Sequence, residues 1–203
     1  TFSIVIPDEV ATKAISDGLT VDELKWEVYD HDNNKELYSG TVSESVIVNG
    51  KRQFVLELNL VSNLTYDLLF WAQKKGTNYY NTDNLKDVRA YYNENYPNSW
   101  NSNYTHAYAN DEARDAFYGA LKGFETGGNV ATEKTVTLKR PFAQINFASS
   151  PSDWERAKPF INDGDRNTAH HGLETQITLE NMYSYFDVYA GDVTGEANKK
   201  ITF

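Results

Sequence analysis

Hydrophobic and polar residues alternate with period two along most of the chain. Leu24, Trp26 and Val28 share one face of a segment whose other face carries Lys25, Glu27 and Tyr29. Phe54, Leu56, Leu58 and Leu60 alternate with Val55, Glu57 and Asn59, and Leu64, Tyr66, Leu68, Phe70 and Ala72 form the longest such stripe. Val136 and Leu138, then Ala143, Ile145 and Phe147, repeat the pattern, as do Leu173, Thr175, Ile177 and Leu179 and, last, Ser184, Phe186 and Val188. Successive side chains on a strand point to opposite faces, so this spacing predicts strands with one buried and one wet face. Residues 2–6 add a short strand at the N-terminus.

Turn residues fall between these stripes. Asn49-Gly50 separates Val46–Val48 from the strand expected over 53–60, and that dipeptide supplies the two positive φ angles of a tight hairpin. Asp17-Gly18, Asn33-Asn34 and Gly127-Gly128 mark further breaks. Pro141 lacks a donor for a sheet ladder and predicts a bulge or an edge position in the 133–147 stretch. Helix signals are few. Ser150-Pro151-Ser152-Asp153 reads as a capped start, with Trp154, Ala157 and Ile161 on one face, and Pro159 limits its length. Residues 110–117 fit a helical turn leading into a strand. Many strands with one or two short helices give an all-β sandwich in a single domain spanning 1–203.

Composition narrows the function. The chain has 203 residues with 19 Lys+Arg against 29 Asp+Glu, a net charge of −10. That balance argues against a nucleic-acid partner, which requires a cationic surplus. The longest uninterrupted apolar run is Leu68–Ala72, too short to span a bilayer. Cysteine is absent, which excludes disulfides, thiolate metal sites and a cysteine nucleophile. With abundant Asn, Tyr and Thr, the composition fits an exported bacterial protein. Thr1 is not an initiating methionine, so a targeting segment is expected outside this sequence.

Catalytic motifs are missing: there is no Gly-x-Ser-x-Gly elbow, no His-Glu-x-x-His pair and no phosphate loop. No enzymatic activity and no cofactor are expected. His170 and His171 are adjacent and would point to opposite faces of a strand, which disfavours a shared metal; His31 and His106 stand apart from them. Asp30–Asn34 and Asn162–Asn167 place oxygen ligands at alternate positions, as calcium loops do. The glutamate completing such a loop is absent, since Leu173 stands in that place. Asx turns explain both segments. The residue Asn63 in Asn-Leu-Thr and Asn103 in Asn-Tyr-Thr match the glycosylation triplet without further support.

One segment is compositionally unusual. Residues 77–110 hold seven of the 14 tyrosines, Trp100 and nine asparagines. It is long for a connection. Either its rings pack inward over one end of the sandwich, or Tyr79, Tyr80, Tyr96, Trp100 and Tyr104 form a surface that stacks on glycan. The second alternative makes the protein a secreted carbohydrate-binding module.

The order of features resembles a known family. The N-terminal strand is followed by Ala11-Thr12-Lys13-Ala14-Ile15-Ser16-Asp17-Gly18 and the Leu24–Tyr29 strand. Leu69-Phe70-Trp71-Ala72 then precedes Tyr79–Val88, residues 110–119 contain Arg114-Asp115-Ala116-Phe117-Tyr118-Gly119, and Val136–Phe147 follows. This succession is similar to the N-terminal domain of fimbrillin-type subunits, the pilus and cell-adhesion proteins of Bacteroidales. The resemblance implies a transthyretin-like Greek-key β-sandwich, export as a lipoprotein precursor to the outer-membrane surface, and assembly into fimbriae by strand exchange. In that scheme a protease removes the first strand, here Phe2, Ser3, Ile4, Val5 and Ile6, and a neighbouring subunit refills the groove. The alternative for Phe2–Ile6 is an ordinary edge strand. Lys13, where many of those proteins carry Arg, is the implied processing site in the linker. Partners would be other fimbrial subunits and a host protein or glycan. Such subunits continue into a second domain bearing the donor strand, so this chain is not expected to polymerise alone.

Overall fold

A computed structural model describes residues 1–7, 18–91, 112–128, 132–142, 150–153, 155–156 and 178–202. Its strands are β1 (Phe2–Val5), β2 (Glu23–Asp30), β3 (Glu36–Val42), β4 (Ser45–Val48), β5 (Lys51–Leu56), β6 (Thr65–Gln73), β7 (Tyr80–Asn81), β8 (Val88–Ala90), β9 (Ala116–Glu125), β10 (Lys134–Thr137), β11 (Thr178–Met182), β12 (Tyr185–Asp187), β13 (Asp192–Thr194) and β14 (Lys199–Thr202). They form a front sheet ordered β10-β1-β5-β4, a central sheet β3-β2-β6-β9, a back sheet β13-β12-β8-β7 and the pair β11-β14. The fold is an all-β sandwich, as the alternation predicts.

Front and central sheets bury the stripes read from the sequence. Phe2, Ile4, Phe54 and Leu56 meet Leu24, Val28, Tyr66, Leu68, Phe70, Ala72 and Phe117 in one core. Leu58 and Leu60 pack against this core although β5 ends at Leu56. The Phe2 and Phe124 rings meet edge-on with centroids 5.3 Å apart, the arrangement that ring quadrupoles favour.

The expected wet face of the central sheet is not wet. Tyr29, Leu69, Trp71 and Ala116 form a second core with Leu85, Val88, Phe186 and Val188. The back sheet covers this face, so β6 is buried at every position from Tyr66 to Gln73. Two of its strands, β7 and β8, come from the Tyr/Asn-rich segment, which therefore contributes in part to the framework. Polar residues on the covered face are paired. Glu27 accepts hydrogen bonds from Tyr29 Oη (2.7 Å) and Leu85 N (2.9 Å). Asp67 accepts from Gly123 N (2.8 Å) and contacts His31 Nδ1 (2.9 Å). Trp71 Nε1 donates to Gln73 Oε1 (3.0 Å).

Local signals hold where they can be seen. Asn49 and Gly50 have φ of 52° and 78° and close the β4–β5 hairpin. β10 is an edge strand ending before Pro141. A 3-10 turn at Glu112–Arg114 leads into β9. At the capped start, Ser150 Oγ accepts from Asp153 N (3.2 Å) while Asp153 Oδ2 accepts from Ser150 N (3.0 Å), a reciprocal cap. Asp30 Oδ1 accepts from the backbone N–H groups of Asp32 and Asn33, which makes 30–34 an Asx turn. The stretch 143–147, most of 173–179 and the second Asp-rich loop lie outside the described residues.

Candidate functional site: the first strand and its slot

β1 is an interior strand. It runs antiparallel to β5, with Phe2 opposite Leu56 and Ile4 opposite Phe54, and parallel to β10, with Phe2 beside Lys134 and Ile4 beside Val136. The edge-strand alternative for Phe2–Ile6 is thereby corrected: both main-chain edges are occupied. The ladders continue past the strand ends, since Ile6 N donates to Arg52 O (2.9 Å), Leu138 N to Val5 O (2.9 Å) and Lys134 N to Thr1 O (3.1 Å).

Its side chains divide by parity. Phe2, Ile4 and Ile6 are 3%, 0% and 1% exposed, whereas Ser3 and Val5 are half-buried on the outer face. Ile6 fits beside Gly18, where an added Cβ would lie 2.8 Å from Ile6 Cγ2 and 3.0 Å from the Phe117 ring. A side chain at residue 18 would thus compete with Ile6 for the same space, and its φ of +74° favours glycine in any case. Burying three large apolar side chains contributes about 1.5–3 kcal/mol each.

The walls of the slot are β5 and β10, and its floor is the central sheet. Gly119 of β9 lets Leu138 approach: an added Cβ would sit 2.7 Å from Leu138 Cδ2. Arg52 fastens the β5 wall, donating through Nη1 to Ser45 Oγ (2.5 Å) and through Nη2 to Leu19 O (2.7 Å). Asp22, which follows Leu19 just before β2, feels burial that raises its pKa, but hydrogen bonds from Lys74 and Lys75 outweigh it and hold the carboxyl below its ordinary range. Sequence alternation identified Val136 and Leu138 as strand residues but not as neighbours of β1, because a parallel contact over such a separation leaves no local signal.

The other predicted residues are dispersed. Lys13 lies outside the described residues, as do Tyr96, Trp100 and Tyr104. Tyr80 turns inward, packing edge-on against Trp71 (5.3 Å) and stacking on Phe142 (6.0 Å), and its hydroxyl donates to Arg114 O (2.6 Å). It is partly buried and packs against the second core. Tyr79 faces the opposite way, with the Arg114 guanidinium 4.2 Å from its ring centroid. Among the described residues no group of three or more His, Asp or Glu side chains could hold a metal ion, and no helix is long and apolar enough to cross a membrane.

The chain belongs to DUF6562, a family of unknown function whose match extends over residues 1–203. No curated protein and no solved structure matches it.

Proposed function

We propose that this member of DUF6562 is a non-enzymatic structural subunit of cell-surface fimbriae or a related adhesion assembly, and that it joins its neighbours by exchange of its first strand. The observation that supports the reading is the interior position of β1. Once the chain is cut after it, a segment inserted between two strands can leave as a unit. Its departure would expose main-chain donors and acceptors on both β5 and β10 and vacate the places of Phe2, Ile4 and Ile6. An alternating strand from another subunit meets both demands, the backbone ladder giving affinity and the side-chain places giving register. In this proposal the protein is exported to the outer-membrane surface, Lys13 is the processing point, and other subunits are its partners.

Mild trypsin treatment followed by N-terminal sequencing tests the processing step. The proposal expects early cleavage after Lys13 with the remaining sandwich still folded by circular dichroism. Resistance of residues 1–20 under conditions that cut exposed lysines elsewhere would count against it.

A further inference from the structure

β4 borders the front sheet, with β5 on one side and no strand among the described residues on the other. Val46, Ile47 and Val48 are 52%, 54% and 45% exposed, Val46 and Val48 on the outer face of the sheet and Ile47 on the other. No hydrogen bond beyond the β5 ladder engages them. An open border is a template for an added strand, and proteins blunt such borders with charge, proline, bulges or short length. Every other border among the described residues is blunted in this way. β3 carries Glu36 and a register shift against β2, and β9 carries Lys122, Glu125 and a shift against β6. β10 opens on Lys134, β13 opens on Asp192 and β7 has two residues. The β11–β14 pair carries Glu180, Lys199 and a bulge. β4 reads Ser-Val-Ile-Val and has no charge, proline or bulge.

The strand is matched to a copy of itself. Asn49-Gly50 makes the two-residue turn in which the flanking pair, Val48 and Lys51, exchanges both main-chain hydrogen bonds. Bonded and non-bonded pairs alternate along an antiparallel ladder. Val46 therefore bonds toward β5 as well, while Ser45 and Ile47 turn their N–H and C=O groups to the open border. Ile47 is also the centre of the palindrome Val-Ile-Val. A two-fold axis beside it lets Ile47 exchange both hydrogen bonds with its own counterpart and sets Val46 against Val48 of the copy, a β-branched cross-strand pair. The same register brings Glu44 to the copy's turn, on the face from which Lys51 projects. Glu44 and Lys51 are both exposed, and neither has a partner among the described residues.

We propose that the partner of β4 is a second copy of this chain, joined antiparallel, β4 to β4, about that axis, with a Glu44–Lys51 ion pair at each end. Each copy carries a net charge of −10, so two copies approach with least repulsion along an uncharged border. Pairing one strand of this length belongs to the small, transient interfaces, below about 1,200 Å². The inference does not depend on strand exchange, since β5 separates β4 from β1.

Sedimentation velocity of the full chain from about 5 to about 500 µM tests it, a range that brackets micromolar association. A reversible monomer–dimer equilibrium that goes no further is expected. Ile47→Lys sets two like charges against each other on the axis and should weaken dimerisation about tenfold or more. Its melting temperature should be unchanged, since the Ile47 side chain is exposed. Glu44→Lys should also weaken the dimer, and Glu44→Lys combined with Lys51→Glu should restore it. A chain monomeric throughout, a dimer indifferent to Ile47→Lys, or a double variant as weak as Glu44→Lys would overturn the proposal. Open-ended association would do so too, because a two-fold pairing uses up the border it joins.

Discussion

Truncation of Ile4 measures how firmly the first strand is seated. Ile4 is fully buried, opposite Phe54 and beside Val136 in the core between the front and central sheets. Replacing it by alanine removes three carbons, a transfer loss of about 2.4 kcal/mol at about 0.8 kcal/mol per buried methylene. A cavity term adds to this, because an interior strand held on both edges cannot easily collapse toward the gap, which places Ile4→Ala at about 3–4 kcal/mol within the known range. Ile4→Val removes one methylene and should cost about 0.5–1.5 kcal/mol. Val5→Ala, on the outer face, should cost less than about 1 kcal/mol. Urea denaturation followed by tryptophan fluorescence reads all three as shifts in midpoint at constant slope. If Val5→Ala costs as much as Ile4→Ala, or if Ile4→Ala costs less than about 1 kcal/mol, the assigned register of β1 is wrong.

Two other predictions concern the central sheet. Burial of Glu27 raises its carboxyl pKa above the ordinary 4.5 despite hydrogen bonds from Tyr29 and Leu85. The native state therefore holds this proton longer than the unfolded chain does, and stability falls as pH rises from about 4.5 through the raised value. Glu27→Gln should remove that slope, so its stability relative to the parent should rise between pH 4 and pH 7 in urea melts; a constant difference would contradict the assignment. Gly119→Val drives two extra methyl groups and a Cβ into Leu138 and should lower stability by about 1–3 kcal/mol, readable as a drop in melting temperature. Gly127→Ala, where an added Cβ meets nothing, serves as the control.

The alternation exposed the strands but not their layers. Phe2, Ile4 and Ile6 were legible as one apolar face, and Asn49-Gly50 as a hairpin, because both signals are local. Nothing local distinguishes an edge strand from one flanked on both sides: the β10 partner lies more than a hundred residues away and pairs in parallel. Glu27 falls on the face that alternation reads as wet, since its residue type is usually exposed. In the structure it accepts hydrogen bonds from Tyr29 and Leu85, and buried Asp67 and Gln73 also have partners; that satisfaction is invisible to periodicity. For the Tyr/Asn-rich segment composition left inward packing and a glycan surface as alternatives, and no local signal separates them; at Tyr80, parity with Ala90 turns the ring toward Trp71.

Strand exchange is tested most directly by complementation. Protein cleaved after Lys13 and freed of its first segment would be titrated with a synthetic peptide of residues 1–7, and binding and melting temperature measured together. The account predicts saturable one-to-one binding that raises the melting temperature with peptide concentration, and loss of binding when the peptide carries Ile4→Asp. A cleaved protein that keeps its parent stability without peptide, or a peptide that binds equally well with aspartate at that position, would contradict it.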